Sequence, residues 1–278
     1  MVKIVTDSLS DIPDQLAQEL GISIVPLNVH FGTETYRDRV DISTDEFYRK
    51  LQTSEVFPTT SAPPPGVFVE LFTKLAKETD EILAIMTSSK ISAICESALQ
   101  GKDMVDARCH IAVIDSLQIL AGQMFVVIVA AKAAREGANL EQISDMVRKA
   151  IPKAHVRGAL ATLEYLKRGG RIGKAQAFLG SLLKVTPILG FIDGEAHPIA
   201  RVRSWAQGTD FLVNFVKGFP KIEELAIEDA TTPDEAEILA ERLSDIFPKE
   251  RMHRTKFSPV LGAHLGPGAL IVSVLEGE

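Results

Sequence analysis

Cysteine is scarce in this 278-residue chain: Cys95 and Cys109 are the only two. Their spacing suits neither a zinc site nor a redox pair, so both are expected to be small buried apolar residues. Positive charge is short as well. A net charge of −7 excludes a general nucleic-acid binder, which needs surplus Lys and Arg to displace counterions. The longest strictly apolar run, MFVVIVAA at 124–131, is too short for a membrane span. The amino terminus, MVKIVTDS, lacks a signal-peptide layout, and a reducing cytoplasm is the expected setting.

Common chemical signatures are missing too. There is no G-x-x-x-x-G-K-[ST] phosphate loop, no G-x-G-x-x-G after the first strand and no G-x-S-x-G elbow. His30, His110, His155, His197, His253 and His264 show no two-histidine metal spacing. Neither a metal nor a cofactor is expected.

What is present is an ordinary globular composition, 46% apolar and 24% charged, long enough for two modest domains. KIVTDS reads as a strand, DIPDQLAQELG as a helix with Pro13 near its start and Gly21 past its end, and ISIVPLNVHF as a second strand. This β-α-β opening predicts an α/β fold. PTTSAPPPG (58–66) is the strongest loop signal. Phe68, Leu71, Phe72 and Leu75 then recur at helical spacing. EILAIMTSS and HIAVIDS read as strands, the stretch 117–137 as a long buried helix, and Asn139 with Gln142 as a capping box. After Pro152 the pattern shifts to hairpins, with a turn at 193–195, then a helix capped by Thr232 and opened by Pro233, then a last strand, GALIVSVLEG. The expected architecture is a doubly wound parallel-sheet domain over 1–153 and a mixed-sheet α/β domain over 154–278, with a ligand between them.

Three early strands end in polar residues: Thr6-Asp7-Ser8, Thr87-Ser88-Ser89 and Asp115-Ser116. Ligands of open α/β sheets bind beyond such strand ends. Asp7 and Asp115 fit loop bracing best, and the Thr-Ser-Ser cluster fits capping and ligand contact equally. Lys167, Arg168, Arg171 and Lys174 crowd a double glycine, which suits a solvated turn, an anion contact or an acidic partner. GAHLGPGAL (262–270) reads as a glycine-rich turn holding one histidine.

Together, TDSLSD, FPTTSAPPPG, MTSSKISAICESA, VIDS, LEYLKRGGRIGKAQAFLGSLLKVTPIL and GAHLGPGAL resemble the DegV family of bacterial fatty-acid-binding proteins, in order and over essentially the whole chain. The resemblance implies a long-chain fatty acid held between two α/β domains. It implies a carrier rather than an enzyme, working as the lipid-binding subunit of a fatty acid kinase. A separate ATP-dependent subunit phosphorylates the acid, and the acyl phosphate feeds phospholipid synthesis. Carboxylate contacts carried over are Thr60 (or Thr59 in the neighbouring register) with Ser61, Ser88 with Ser89, and His264. Arg171 and Arg201 or Arg203 carry over as partner-docking or phosphoryl-transfer residues. The chain departs from the usual Ser-Gly of this family at Ser92-Ala93. Phe178, Leu179, Leu182, Leu183, Ile188 and Leu189 are candidates for an apolar wall. Two other readings stand beside this one: a serine hydrolase using Ser88 or Ser89 with His264 and Asp7, and a carrier or sensor of another amphipathic acid without a kinase.

Overall fold

A computed structural model describes residues 1–105, 108–179 and 185–277. In chain order its strands are β1 (Lys3–Asp7), β2 (Ile22–Val25), β3 (Asn28–Phe31), β4 (Glu34–Arg37), β5 (Thr59–Ser61), β6 (Glu81–Met86), β7 (His110–Asp115), β8 (Ala154–Leu160), β9 (Thr186–Ile192), β10 (Glu195–Val202), β11 (Ile222–Asp229), β12 (His253–Lys256) and β13 (Ala269–Glu276). The helices are α1 (Asp14–Leu20), α2 (Thr44–Thr53), α3 (Pro65–Leu75), α4 (Ile94–Asp103), α5 (Leu120–Arg135), α6 (Leu140–Ala150), α7 (Glu164–Arg168), α8 (Trp205–Lys217), α9 (Pro233–Leu243) and α10 (Pro259–Leu265).

The strands form three sheets. One is parallel, in the order β2-β1-β6-β7. Its central strands are apolar on both faces, as helices on both sides of a parallel sheet require: Ile82 to Met86 are all buried. A small antiparallel sheet follows the order β4-β3-β5. All strands from Ala154 onward join a mixed sheet, β10-β9-β8-β13-β11-β12, antiparallel except between β11 and β12.

ISIVPLNVHF, expected as one strand, is two. Pro26, which has no N–H to donate, lies between β2 and β3, and these enter different sheets. The loop 58–66 also contains a short strand, β5. The capping box forms as expected: Asn139 Oδ1 accepts from Gln142 N at 3.0 Å and Gln142 Oε1 from Asn139 N at 3.1 Å. Thr232 does not cap α9 with its side chain; Asp229 Oδ2 accepts from Thr232 N instead, at 3.0 Å.

Helix α5 ties the molecule together. It is apolar around its circumference and touches both large sheets, through β1 on one side and β8, β11 and β13 on the other. Alternation along β8 splits its side chains between two cores. Val156 and Leu160 join the core shared with the parallel sheet, whereas Ala159 joins the core under α8 and α9. Among the described residues, no helix is long and apolar enough to cross a membrane.

Candidate functional site

The stretch expected as a glycine-rich turn around His264 begins as helix, 262–265, and only 266–268 form the turn before β13. Pro259 opens α10 at its first position, and Gly266, at φ +71°, ends it. His264 therefore projects from the last turn of a helix. One glycine admits it, and a second makes room for the neighbouring Tyr165. A methyl group on Gly169, of the KRGGRIG segment, would overlap the His264 imidazole, reaching 2.8 Å from Cε1. A methyl on Gly266 would in turn overlap the Tyr165 ring, reaching 2.6 Å from Cγ.

His264 borders a cavity of about 320 Å³. The cavity lies beyond the carboxyl ends of the parallel strands, where Leu9 follows β1, Ile91 to Ala93 follow β6 and Ile119 follows β7. Its opposite wall is the mixed sheet, with Val156, Gly158, Leu189, Phe191 and Ile271. The lining is apolar apart from Thr60, Ser61, Ser92, Arg171 and His264 and the backbone. That composition suits a ligand with a long apolar body and a polar head.

The polar group is internally connected. His264 Nε2 and Thr60 Oγ are 2.7 Å apart. Burial pulls the imidazole down to about 4, and the Arg171 guanidinium pushes in the same direction, so His264 is neutral near pH 7. Its Nδ1 is buried and has no hydrogen-bond partner among the described residues. Arg171 is held by two main-chain carbonyls: Nε donates to Ile91 O at 3.0 Å and Nη1 to Gly169 O at 2.8 Å. A fixed cation and a hydroxyl–imidazole pair thus border a mainly apolar space.

The other residues singled out in the sequence fall elsewhere. Thr59 is exposed and does not line the cavity, whereas Thr60 does. Ser61 borders the cavity, but its hydroxyl bonds His30 Nε2 at 2.9 Å, on the face of β5 opposite to Thr60. Ser88 and Ser89 are not cavity residues. Ser88 Oγ is buried and donates to Gly194 O at 2.7 Å, tying the β9–β10 turn to the end of β6. Ser89 is exposed, and its N–H meets Asp115 Oδ1 at 3.3 Å. The serine of this loop that borders the cavity is Ser92, next to Ala93. Its sequence signal is a serine two residues before α4 begins, where it accepts from Ile94 N at 3.3 Å.

Arg201 lies over the Phe178 ring, 4.3 Å from its centroid, and donates to Ala177 O at 3.3 Å. Arg203 is exposed beyond β10. Neither arginine lines the cavity. Of the proposed wall, Leu189 lines it, while Ile188 faces the core under α8, because adjacent strand residues point oppositely. Leu182 and Leu183 lie outside the described residues.

The serine-hydrolase constellation is not assembled. Asp7 accepts from Thr87 N at 2.7 Å, Leu9 N at 3.0 Å and Gln123 Nε2 at 3.2 Å, while His264 pairs with Thr60. Asp7 braces the ends of β1 and β6, the role its position in the sequence suggested.

The sequence model of the DegV family matches residues 1–277. The chain belongs to the DegV family. A DegV domain-containing protein of Halalkalibacterium halodurans is 37% identical over 277 residues, covering 98% of this chain and 97% of the relative. The fold is similar to that of a DegV family protein from Thermus thermophilus described as fatty acid binding, with TM-score 0.92, 30% identity and 99% of each chain covered. It is similar also to DegV, a fatty acid binding protein from Bacillus subtilis, with TM-score 0.90, 32% identity and 99% of each chain covered. The parallel amino-terminal sheet and the mixed carboxyl-terminal sheet are therefore the DegV fold.

Proposed function

We propose that this protein binds a long-chain fatty acid in the cavity between the parallel and mixed sheets, with the carboxylate at the Thr60–His264 end. The observation that carries the proposal is a mainly apolar cavity of about 320 Å³ that ends on a hydrogen-bonded Thr60–His264 pair beside Arg171. Each methylene taken out of water contributes roughly 0.8 kcal/mol, so about fourteen contribute on the order of 11 kcal/mol before ordering costs. The buried carboxylate needs hydrogen-bond donors, and Thr60, Ser92, His264 and Arg171 are the groups at hand. Its fatty-acid-binding relatives share the fold over nearly the whole chain.

The acid is then presented to a separate ATP-dependent kinase in the cytoplasm, which forms the acyl phosphate. The carrier itself supplies no catalytic nucleophile. Arg171 beside the head group, and Arg201 and Arg203 outside the cavity, are the residues assigned to docking or phosphoryl transfer. A division into two domains at residues 153 and 154 is supported by the strands from Ala154 onward joining a different sheet, and the ligand in this reading lies at that junction.

Native mass spectrometry of protein purified from cells tests the binding. A co-purified long-chain acid is the expected result. A ligand-free mass that added fatty acid leaves unchanged would sink the lipid reading. Trapping acyl phosphate as a hydroxamate, with and without a candidate kinase, tests the second step. Wild-type complex that makes no hydroxamate leaves a carrier without a kinase.

A further inference from the structure

Helix α10 carries His264 and is only seven residues long. That is about two turns, too few to be stable alone. Its own N-cap, Ser258, makes no side-chain cap. One first-turn N–H and the N–H of the N-cap residue go instead to two carboxylates from distant loops. Val260 N donates to Asp38 Oδ1 at 3.1 Å, and Ser258 N lies 3.2 Å from Asp11 Oδ2 and 3.3 Å from Oδ1.

Both carboxylates are buried, Asp11 at 3% exposure and Asp38 at 1%. Asp11 sits in the left-handed region, φ 47°, just past the short turn that Asp7 caps after β1. Asp38 follows β4 and is fixed by its own N–H, which donates to Leu27 O at 2.8 Å. Neither lines the cavity. Burying a carboxylate is costly, and an apolar replacement often stabilises a fold, so two buried acids at one helix start point to a demand for position. Val260 and His264 are four residues apart, on one face of successive turns. A clamp on Val260 therefore sets where the imidazole lies against Thr60.

We infer that Asp38, with Asp11 beside it, is a positioning residue for the head-group end of the cavity: it clamps the first turn of α10 and so holds His264 in line with Thr60. The inference rests on the fatty-acid reading for its ligand test and on none for its spectroscopic one. Carboxylate recognition is sensitive to placement at the scale of an ångström, whereas the apolar walls are not.

The test compares dissociation constants for a long-chain acid and for the alcohol of the same length, by displacement of a fluorescent fatty acid. Asp38→Ala is expected to weaken the acid roughly tenfold or more while leaving the alcohol within about threefold. Asp38→Asn, whose amide oxygen still accepts from Val260 N, is expected to restore the acid to within about threefold of wild type. If Asp38→Ala does not fold, Asp38→Glu, which displaces the clamp by one methylene, carries the same comparison. Equal losses for acid and alcohol would overturn the assignment, as would undiminished acid affinity. Ligand-free protein gives the second readout: in the Ala or Glu variant the His264 imidazole resonances are expected to shift and its pKa to rise from about 4. Unchanged His264 resonances overturn the positioning role. A wild type that binds neither ligand sinks the lipid reading and leaves the spectroscopic test in force.

Discussion

Thr60 and His264, 204 residues apart in the chain, meet through one hydrogen bond of 2.7 Å at the edge of the cavity. The pair joins the small sheet to α10, so it is both a structural contact and one of the few polar points of a mainly apolar space. Thr60→Val keeps the shape and removes the hydroxyl. Hydrogen bonds to charged groups are worth about 1.5–3 kcal/mol, so affinity for a long-chain acid is expected to fall roughly tenfold or more. Isothermal titration with the purified variant checks this. Wild-type affinity in Thr60→Val would place the carboxylate elsewhere.

Gly169 is the neighbour that lets His264 lie where it does. Its φ is −73°, within reach of any residue, so the constraint is space and not backbone conformation. Gly169→Ala is expected to push the imidazole off Thr60, weaken acid binding and lower stability by about 1–3 kcal/mol, the usual range for overpacking. Denaturant unfolding measures the stability change, and a crystal structure of the variant reads the His264 rotamer. An unmoved His264 would mean the loop yields instead.

This contact also shows what the sequence could reveal. KRGGRIG and GAHLGPG were legible as two separate motifs, one basic and one glycine-rich, but nothing in their spacing says that a glycine of one seats the histidine of the other. The parallel sheet, α5 and the Asn139 capping box follow from local apolar pattern and end chemistry. Strand direction at β5 does not: adjacent Thr60 and Ser61 look equivalent in sequence, and only pairing with β3 sends their hydroxyls to opposite faces. The Thr-Ser-Ser cluster left two readings open for a related reason. A hydroxyl at a strand end serves a ligand or a neighbouring chain segment, and here the Gly194 carbonyl reaches Ser88 first.

Ser88 is accordingly expected to matter for stability and not for the head group. Ser88→Ala removes the only hydroxyl bonded to Gly194 O among the described residues. A loss of about 1–3 kcal/mol is expected, the cost of leaving a buried acceptor unpaired. Acid affinity, measured beside thermal unfolding, is expected to stay near wild type. A variant with full stability and lost affinity would return Ser88 to the carboxylate site.

Glu228 gives the protein a pH signature independent of any ligand. It is fully buried beneath α5, where its oxygens accept from Ala121 N at 3.0 and 3.1 Å and from Ser273 Oγ at 3.1 Å. Burial raises its carboxyl from 4.5 to about 7, against the pull of these hydrogen bonds. Between those two values the folded state keeps a proton that the unfolded chain releases. Its contribution to stability is therefore largest below the unfolded pKa, falls as pH rises through the window and is lost above about 7. Glu228→Gln cannot ionise; its amide oxygen still accepts from Ala121 N, and its nitrogen donates to Ser273 Oγ. The variant is expected to be more stable than wild type at pH 8, by on the order of a few kcal/mol, and to converge with it toward pH 5. Because Asp11 and Asp38 also titrate above the usual carboxylate range, the quantity to follow is the difference between the two proteins across pH. A difference that does not change between pH 5 and 8 would mean that Glu228 holds the same protonation state throughout, and that α5 is capped by a fixed charge or a fixed acid.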